Sequence, residues 1–359
     1  MAERLYNFSA GPAMLPVEVL ETVRDNLINY HNTGLGIMEM SHRSSAFEEI
    51  INSAESKLRA VLDINEDYHV LFMQGGATTQ FSMVPMNISL PGQKSNYLIS
   101  GIWAEKAIEE AAKFCDTHVA GSSKDIGYAS VPMTINPSSD AAYLHFTSNN
   151  TIVGTQYPKE PEAGDIPLVC DASSDFLHKK IEIKKYALLY AGAQKNLGPA
   201  GVTIVILRKD LWPRSAKNLP ILMNYNTLTE SKSMYNTPPT LAIYVVREVL
   251  NWIETQGGLA KIEERNRHKA KVIYDYIDST DFYQGTANKD SRSLMNITFR
   301  MKNADLEKDF IAEAKKAGFV ELKGHRFVGG LRASVYNAFP EQGCTELVKF
   351  MQSFAASRG

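Results

Sequence analysis

Strand-like and helical segments alternate along residues 68–206, and this alternation constrains the fold more than any other feature of the chain. Short apolar, β-rich runs occur at 68–73, 96–100, 142–147, 166–170 and 187–193, and another begins at Val202. Strands that alternate with helices are typical of a mainly parallel sheet covered by helices. We therefore predict an α/β fold whose large domain is built on one mainly parallel, mixed sheet.

The 359 residues are many for a single core, so we predict a second, smaller α+β domain. Gln256-Gly257-Gly258 separates predicted helices at 240–255 and 260–277, and we place the domain boundary there. The large domain then covers 16–256, and the small domain covers 1–15 and 257–359. We interpret 115–140 as irregular. We interpret 218–239 as a long exposed loop, of the kind that often has a function or an oligomer contact.

The composition excludes several classes of protein. Apolar residues make up 44% of the chain and charged residues 22%, as in ordinary globular proteins. A net charge of −2 gives no basic field for nonspecific nucleic-acid binding. The three cysteines are widely spaced, which argues against a disulfide framework and a four-cysteine metal site. We see no signal-peptide apolar segment and no apolar run of 18 residues, so we expect a cytoplasmic protein without membrane contact or metal.

A glycine turn follows the first predicted strand, in the sequence Gln74-Gly75-Gly76-Ala77-Thr78-Thr79. Glycines at a strand-to-helix turn let a backbone approach an anion, and the helix N-terminus offers free N–H groups to it. The turn matches neither the dinucleotide fingerprint nor the nucleoside-triphosphate loop. This absence argues against a nicotinamide-dependent dehydrogenase.

Four further residues lie at the carboxyl ends of predicted strands or within four residues of them: Trp103, Thr151, Asp171 and Lys195. Taken singly, each has an ordinary explanation, such as a core tryptophan, a helix-capping aspartate or a surface lysine. Ligands of parallel sheets bind beyond the carboxyl ends of the strands, so we expect these residues to form one site with the glycine turn. An amine, a carboxylate, an aromatic ring and an anion site are the groups that pyridoxal phosphate requires.

Short motifs in the same order resemble those of the phosphoserine aminotransferase family, which belongs to the class V aminotransferases of the type I pyridoxal-phosphate fold. The motifs are Phe8-Ser9-Ala10-Gly11-Pro12, Ser41-His42-Arg43, Gly75-Gly76, Trp103, Asp171-Ala172-Ser173-Ser174, Gly192-Ala193-Gln194-Lys195-Asn196, His325-Arg326 and Asn337. The resemblance implies that Lys195 forms the Schiff base, Asp171 contacts the pyridine nitrogen, Trp103 stacks on the ring and Thr151 contacts the ring hydroxyl. It also implies a homodimer and a set of residues around the cofactor phosphate: Gly76, Ala77, Thr78, Ser173, Gln194 and, from the second subunit, Asn236 and Thr237.

On the substrate side, the resemblance implies that Arg332 binds the α-carboxylate and that His42, Arg43, His325 and Arg326 receive a phosphate or a glutamate side chain. The implied reaction moves an amino group from L-glutamate to 3-phosphohydroxypyruvate, and it serves serine biosynthesis. Some family members also accept 4-phosphohydroxythreonine, in pyridoxine biosynthesis. Independently, so many cationic side chains suit substrates that carry two anionic groups.

Two alternatives share the fold. A serine–glyoxylate or alanine–glyoxylate aminotransferase would have little use for the additional arginines and histidines. A cysteine desulfurase would need an exposed nucleophilic cysteine on a mobile loop near the cofactor, and Cys115 and Cys344 have no helpful basic context. One departure from the family pattern occurs at Ala77-Thr78-Thr79, where some members carry glycine or arginine. The departure affects the expected side-chain contacts with the cofactor phosphate, and it leaves the backbone contacts unchanged.

Overall fold

The computed structural model describes residues 4–214 and 218–358, in which strands and helices alternate as the sequence predicts. The strands are β1 (Tyr6–Asn7), β2 (Tyr68–Met73), β3 (Lys94–Ile99), β4 (Thr117–Ser122), β5 (Ala141–Thr147), β6 (Leu168–Asp171), β7 (Leu188–Gly192), β8 (Thr203–Arg208), β9 (Tyr283–Gly285), β10 (Asn296–Met301), β11 (Phe319–Val320) and β12 (Leu331–Ser334). The α-helices are α1 (Val17–Asn26), α2 (Ser45–Leu62), α3 (Gly76–Ile88), α4 (Ile102–Ala111), α5 (Tyr225–Glu230), α6 (Thr240–Thr255), α7 (Gly258–Asp278), α8 (Glu307–Lys316) and α9 (Glu341–Arg358).

Seven strands form the large sheet, in the order β2-β8-β7-β6-β5-β3-β4. Strand β8 is antiparallel to both of its neighbours, and the other paired strands of this sheet are parallel. Strand β2 therefore runs in the same direction as β7, and its carboxyl end lies at the same edge as those of the parallel strands. The prediction of a mainly parallel, mixed sheet is confirmed.

Helices cover both faces of this sheet, which explains why its strands are nearly continuous apolar runs. On one face, α2 packs against α6, and their shared core includes Phe47, Leu58 and Val246. Helix α2 begins after Ser44, whose hydroxyl accepts a hydrogen bond from the Phe47 N–H at 3.2 Å. On the opposite face, α3 and α4 pack together over a second apolar cluster.

The C-terminal third contains a second, smaller structural layer. Strands β12, β10 and β9 form an antiparallel sheet, and β1 pairs in parallel with β11. A third apolar cluster joins Phe8 near the N-terminus to residues of α7, α8 and α9. Helix α7 contributes Leu259 and Ile262 to the large-sheet core and Ala270 and Ile273 to this third cluster. The exact domain boundary at 256–257 stays a prediction.

Two segments differ from their predicted structure. Residues 115–140, predicted to be irregular, contain strand β4, which pairs in parallel with β3 at the edge of the sheet. Five of the six residues of β4 are partly buried or exposed, so the strand lacks the apolar run that identifies an interior strand. The segment 218–239 contains α5, which the loop interpretation omitted.

Within the described residues, no helix is long and apolar enough to cross a membrane.

Candidate active site

Lys195 lies in a tight turn directly after β7. The Ala193 carbonyl accepts hydrogen bonds from the N–H groups of Leu197 and Gly198, which closes the turn around the lysine. The Lys195 side chain is half-buried, and its Nζ donates a hydrogen bond to the Ala10 carbonyl at 2.5 Å. A Cβ on Gly11 would lie 2.8 Å from Lys195 Cδ, and the φ of Gly11 is +140°. The N-terminal loop therefore approaches the lysine at a position that only glycine allows.

The environment of Lys195 lowers the pKa of its amine to about 8. Burial is the main cause, because it disfavours the charged form, and the positive charge of Arg332 adds to the effect. The negative charge of Asp171 acts in the opposite direction. A much larger share of this amine is neutral near pH 7 than in an exposed lysine.

Asp171 is the last residue of β6, and it is 4% exposed. In the sheet it lies between Thr147 of β5 and Tyr190 of β7. Burial raises the pKa of its carboxyl group, while hydrogen bonds from Ser173 and the charge of Lys195 oppose that rise. Its Oδ1 accepts the Ser173 N–H at 3.0 Å, and the Ser173 hydroxyl accepts the Gly192 N–H at 3.1 Å. These bonds fix the ends of β6 and β7 beside each other.

Trp103, Thr151 and Arg332 form a second connected group. Trp103 is in the first turn of α4, and its Nε1 donates to the Thr151 hydroxyl at 3.1 Å. The Thr151 carbonyl accepts a hydrogen bond from Arg332 Nη1 at 2.7 Å. Arg332 belongs to β12 of the smaller layer, so this contact joins the small sheet to the edge of the large one. Among the described residues, the buried Nε of Arg332 has no hydrogen-bond partner.

The glycine turn leads into α3, a helix of 13 residues. Gly75 and Gly76 have φ values of +90° and +68°, and a Cβ on Gly76 would meet no atom within 4 Å. Because the N-cap residue is Gly75, no side chain caps the first N–H groups of the helix. Gln74 Nε2 donates to the Thr237 carbonyl at 2.8 Å, so residues 236–237 lie near the turn within one chain. Ala77 and Gln194 are partly buried, and Thr78 is exposed.

A group of cations surrounds His325. Burial and the nearby charges of Arg332, Arg326 and Lys106 lower the pKa of the His325 imidazole. Lys106 Nζ also lies 5.1 Å from the centre of the Trp103 ring. Lys106 was not predicted as a site residue, although its spacing of three residues from Trp103 on α4 could have indicated it.

His42 and Arg43 lie in the turn that precedes α2. The Arg43 N–H donates to the Ser41 hydroxyl at 3.2 Å, and the Ser44 hydroxyl donates to the Ser41 carbonyl at 2.8 Å. The Arg43 side chain is exposed. Among the hydrogen bonds described for the chain, none joins His42 or Arg43 to the group around Lys195.

The structure adds candidate site residues to which the sequence patterns assign no role. Tyr336 donates its hydroxyl to the Ala10 carbonyl at 2.8 Å, on the same oxygen that accepts the Lys195 amine. Asn196 accepts the Asn337 N–H at 2.9 Å. The resemblance included Asn196 and Asn337 as motif residues only. Their contact crosses 141 positions of sequence, which no local pattern could indicate.

Comparison with known proteins gives a family model described as aminotransferase class-V, which matches residues 5–347. The chain belongs to the class V aminotransferase family. A phosphoserine aminotransferase of Lysinibacillus sphaericus is 53% identical, with 99% of each chain covered. The solved phosphoserine aminotransferase of Bacillus circulans subsp. alkalophilus has a TM-score of 0.98 and 52% identity over 100% of both chains. The structure of a pyridoxal-phosphate-bound phosphoserine aminotransferase from Trichomonas vaginalis has a TM-score of 0.92 and 36% identity, covering 97% of this chain and 100% of that one.

These findings confirm the predicted fold class and family. The family model, together with relatives about 50% identical over the whole chain that are named phosphoserine aminotransferases, supports a pyridoxal-phosphate-dependent transaminase. Pyridoxal phosphate is the cofactor that the family implies, and the residues fit it in three respects. Lys195 offers an amine with a lowered pKa. Asp171, at the same edge of the large sheet, offers a buried carboxylate whose charge acts on that amine. The uncapped N-terminus of α3 offers free N–H groups to a phosphate.

Proposed function

We propose that the protein is a phosphoserine transaminase, which moves an amino group from L-glutamate to 3-phosphohydroxypyruvate. The products are O-phospho-L-serine and 2-oxoglutarate. The observation that carries this proposal is the group of cations around His325, which lies next to the residues that surround Lys195. The proposal also draws on the whole-length similarity to proteins that are named phosphoserine aminotransferases.

When bound, pyridoxal phosphate supplies an aldehyde that bonds to amines and a ring that withdraws electrons from the substrate carbon. We assign Lys195 to the covalent attachment, because its amine is neutral in an appreciable fraction of molecules near pH 7. We assign Asp171 to the pyridine nitrogen and the Trp103 ring to one face of the cofactor. Thr151, held by Trp103 and Arg332, is assigned to the ring hydroxyl.

The phosphate of the cofactor is assigned to the start of α3, at Gly76, Ala77 and Thr78, together with Ser173 and Gln194. A glycine N-cap leaves several N–H groups free for this anion, and the positive end of the helix dipole favours its charge. The Ser173 hydroxyl accepts the Gly192 N–H and lies beside the Asp171 carboxylate, and we assign its proton to a phosphate oxygen when the cofactor is bound.

Lys195 is also assigned the movement of the proton during each half-reaction. A released amine whose pKa is about 8 accepts and returns a proton near neutral pH more readily than an ordinary lysine. The hydrogen bond from Nζ to the Ala10 carbonyl restricts where this amine can lie. The half-buried position of the side chain limits exchange of its proton with bulk water.

Arg332 is assigned to the substrate α-carboxylate. Its guanidinium is anchored on the Thr151 carbonyl, and its Nε keeps a free donor in the described structure. His325 and Arg326, together with His42 and Arg43, are assigned to the second anionic group of the substrate, which is a phosphate or a side-chain carboxylate. Forked arginine donors match both groups well.

We also propose that the protein works as a homodimer in which Asn236 and Thr237 reach the cofactor phosphate of the second subunit. Several large apolar side chains of α1 and the following loop are exposed, among them Ile28 at 86% and Met38 at 67%. Apolar side chains clustered on a surface favour burial against another protein surface. A second copy is also a source of His42 and Arg43 for the site, because no described hydrogen bond joins these two residues to the group around Lys195 within one chain.

Replacement of Arg326 by glutamine tests the phosphate-binding assignment. The loss of one charge-assisted hydrogen bond costs about 1.5–3 kcal/mol, so kcat/KM for O-phosphoserine should fall about ten- to 150-fold. The kcat/KM for L-alanine should change less than threefold. Lys323→Gln, which removes an exposed charge from the same segment, is the matched control. An equal loss for both amino acids would contradict the assignment and favour a glyoxylate-type aminotransferase.

A further inference from the structure

Lys269, in the middle of α7, is almost completely buried at 1% exposed. Its Nζ donates hydrogen bonds to three backbone carbonyls, those of Tyr336 at 2.6 Å, Phe339 at 3.2 Å and Asn337 at 3.4 Å. None of the ion pairs described for residues 4–214 and 218–358 includes Lys269. A buried ammonium group without a carboxylate partner carries a large desolvation cost, so its position calls for an explanation.

The three carbonyls belong to the short segment 335–340, which connects β12 to α9. Two residues of this segment lead directly to the turn of Lys195. The Tyr336 hydroxyl donates to the Ala10 carbonyl, which also accepts Lys195 Nζ. The Asn337 N–H donates to the side chain of Asn196, the residue that follows Lys195. Lys269 therefore binds the backbone carbonyls of Tyr336 and Asn337, and each of these two residues contacts a neighbour of the Lys195 amine.

The other contacts of Asn337 are between neutral groups. Asn266, three residues before Lys269 on the same helix, donates to Asn337 Oδ1 at 2.8 Å, and Asn337 Nδ2 donates to the Leu177 carbonyl at 2.9 Å. Hydrogen bonds from a charged donor are roughly twice as strong as bonds between neutral groups. Among the described hydrogen bonds between α7 and residues 336–339, those from Lys269 are therefore the strongest, because their donor is charged.

We propose that Lys269 is a positioning residue for the transaminase reaction: its ammonium group fixes the 336–339 backbone, and through Tyr336 and Asn337 it fixes the place of the Lys195 amine. The proposal rests on the catalytic role proposed for Lys195. Lys269 itself does not touch the group around Asp171 or Arg332 in the described contacts. Lys269 affects the position of the Lys195 amine. We expect it to have little effect on substrate binding by the cations near His325.

The test compares Lys269→Met with Tyr336→Phe and with the double variant. Lys261→Met is the control, because Lys261 is an exposed lysine of the same helix whose contact is an ion pair with Glu264. In each apoenzyme, the rate at which the Lys195 amine reacts with acetic anhydride is measured by peptide mass spectrometry. In each holoenzyme, kcat and KM are measured for O-phosphoserine.

We expect Lys269→Met and Tyr336→Phe each to change the Lys195 labelling rate at least threefold at pH 7, where most Lys269 amines are charged. We also expect kcat to fall about tenfold in each, with KM changed less than threefold. Because Lys269 acts in part through Tyr336, whose hydroxyl contacts the Ala10 carbonyl, the double variant should lose less than the hundredfold that independent effects would give. The control should match the wild type within twofold in both measurements.

A lower melting temperature in Lys269→Met, with unchanged Lys195 labelling and unchanged kcat, would overturn the proposal, because it would indicate a purely structural role. If Lys269→Met does not fold, Tyr336→Phe decides alone, since it removes only a hydroxyl group. Unchanged labelling of Lys195 in that variant would also overturn the proposal. The labelling result does not depend on the substrate, so a wild-type enzyme inactive toward O-phosphoserine would refute the proposed function without affecting this test.

Discussion

The charge state of the Lys195 amine can be altered in opposite directions by two substitutions. The pKa of about 8, against 10.5 for an ordinary lysine, leaves about one amine in ten neutral at pH 7, compared with about one in 3,000. The difference is about 300-fold, or about 3 kcal/mol between the two protonation states. Arg332→Gln removes a nearby positive charge and should raise the pKa, whereas Asp171→Asn removes a negative charge and should lower it.

The assay is competitive acetylation of the apoenzyme between pH 6 and 11, with the labelled peptides quantified by mass spectrometry. Lys184, whose side chain is 82% exposed, serves as the reference amine within the same molecule. The wild-type Lys195 profile should have its midpoint near pH 8, well below the ordinary value for a lysine amine. The midpoint should move upward in Arg332→Gln and downward in Asp171→Asn.

Two results would refute this reasoning. A wild-type midpoint equal to that of Lys184 would mean that burial does not lower the Lys195 pKa. Shifts of the same sign in both variants would mean that the charges of Arg332 and Asp171 do not act on the amine in the way the structure indicates. Because burial is the main cause of the low pKa, neither variant should restore the value of an exposed lysine.

Two further substitutions test the packing around the site and in the small layer. Gly11→Ala places a Cβ 2.8 Å from Lys195 Cδ and should lower kcat at least tenfold. The control is Gly201→Ala, because Gly201 has a φ of +117° and a Cβ there would meet no atom within 4 Å; its kcat should stay within about twofold of wild type. Equal kcat values for the two variants would contradict the close approach of Gly11 to Lys195. Arg292→Met removes the paired hydrogen bonds to Asp278, at 2.6 and 2.8 Å, that hold the pKa of that carboxyl at about 2. A carboxyl group whose pKa is lower in the folded than in the unfolded state stabilises the fold at pH values above the unfolded-state pKa, and this stabilisation is lost as the pH falls. The urea midpoint of Arg292→Met should therefore lie below that of wild type at pH 7, and the difference between the two midpoints should be smaller at pH 3.5. A difference that does not depend on pH would exclude the Asp278 carboxylate as its cause.

Sequence reasoning could predict that the candidate site residues lie together, because a parallel sheet brings the carboxyl ends of its strands to one edge. Trp103, Thr151, Asp171 and Lys195 each follow an apolar run, so the topology alone brings them together. Strand β4 was missed because it lies at the edge of the sheet, where side chains are only partly buried and the apolar run is interrupted.

The contacts that hold Lys195 in place were beyond the reach of local patterns. The Ala10 carbonyl is 185 positions from Lys195, and it is a backbone group, which has no specific residue type to indicate it. Tyr336 is 326 positions from Ala10, and Lys269 looks like any lysine of an amphipathic helix. Only the three-dimensional arrangement shows that these groups converge on one amine.

The proposed function requires a substrate that carries a phosphate. The most direct measurement is the second-order rate constant for the half-reaction of the purified wild-type holoenzyme with O-phospho-L-serine, L-serine and L-alanine, followed by the absorbance change of the cofactor. Two charge-assisted hydrogen bonds to the phosphate contribute about 3–6 kcal/mol, so O-phospho-L-serine should react about 10²- to 10⁴-fold faster than L-serine. Equal rate constants for the three amino acids, or a preference for L-alanine, would contradict the claim.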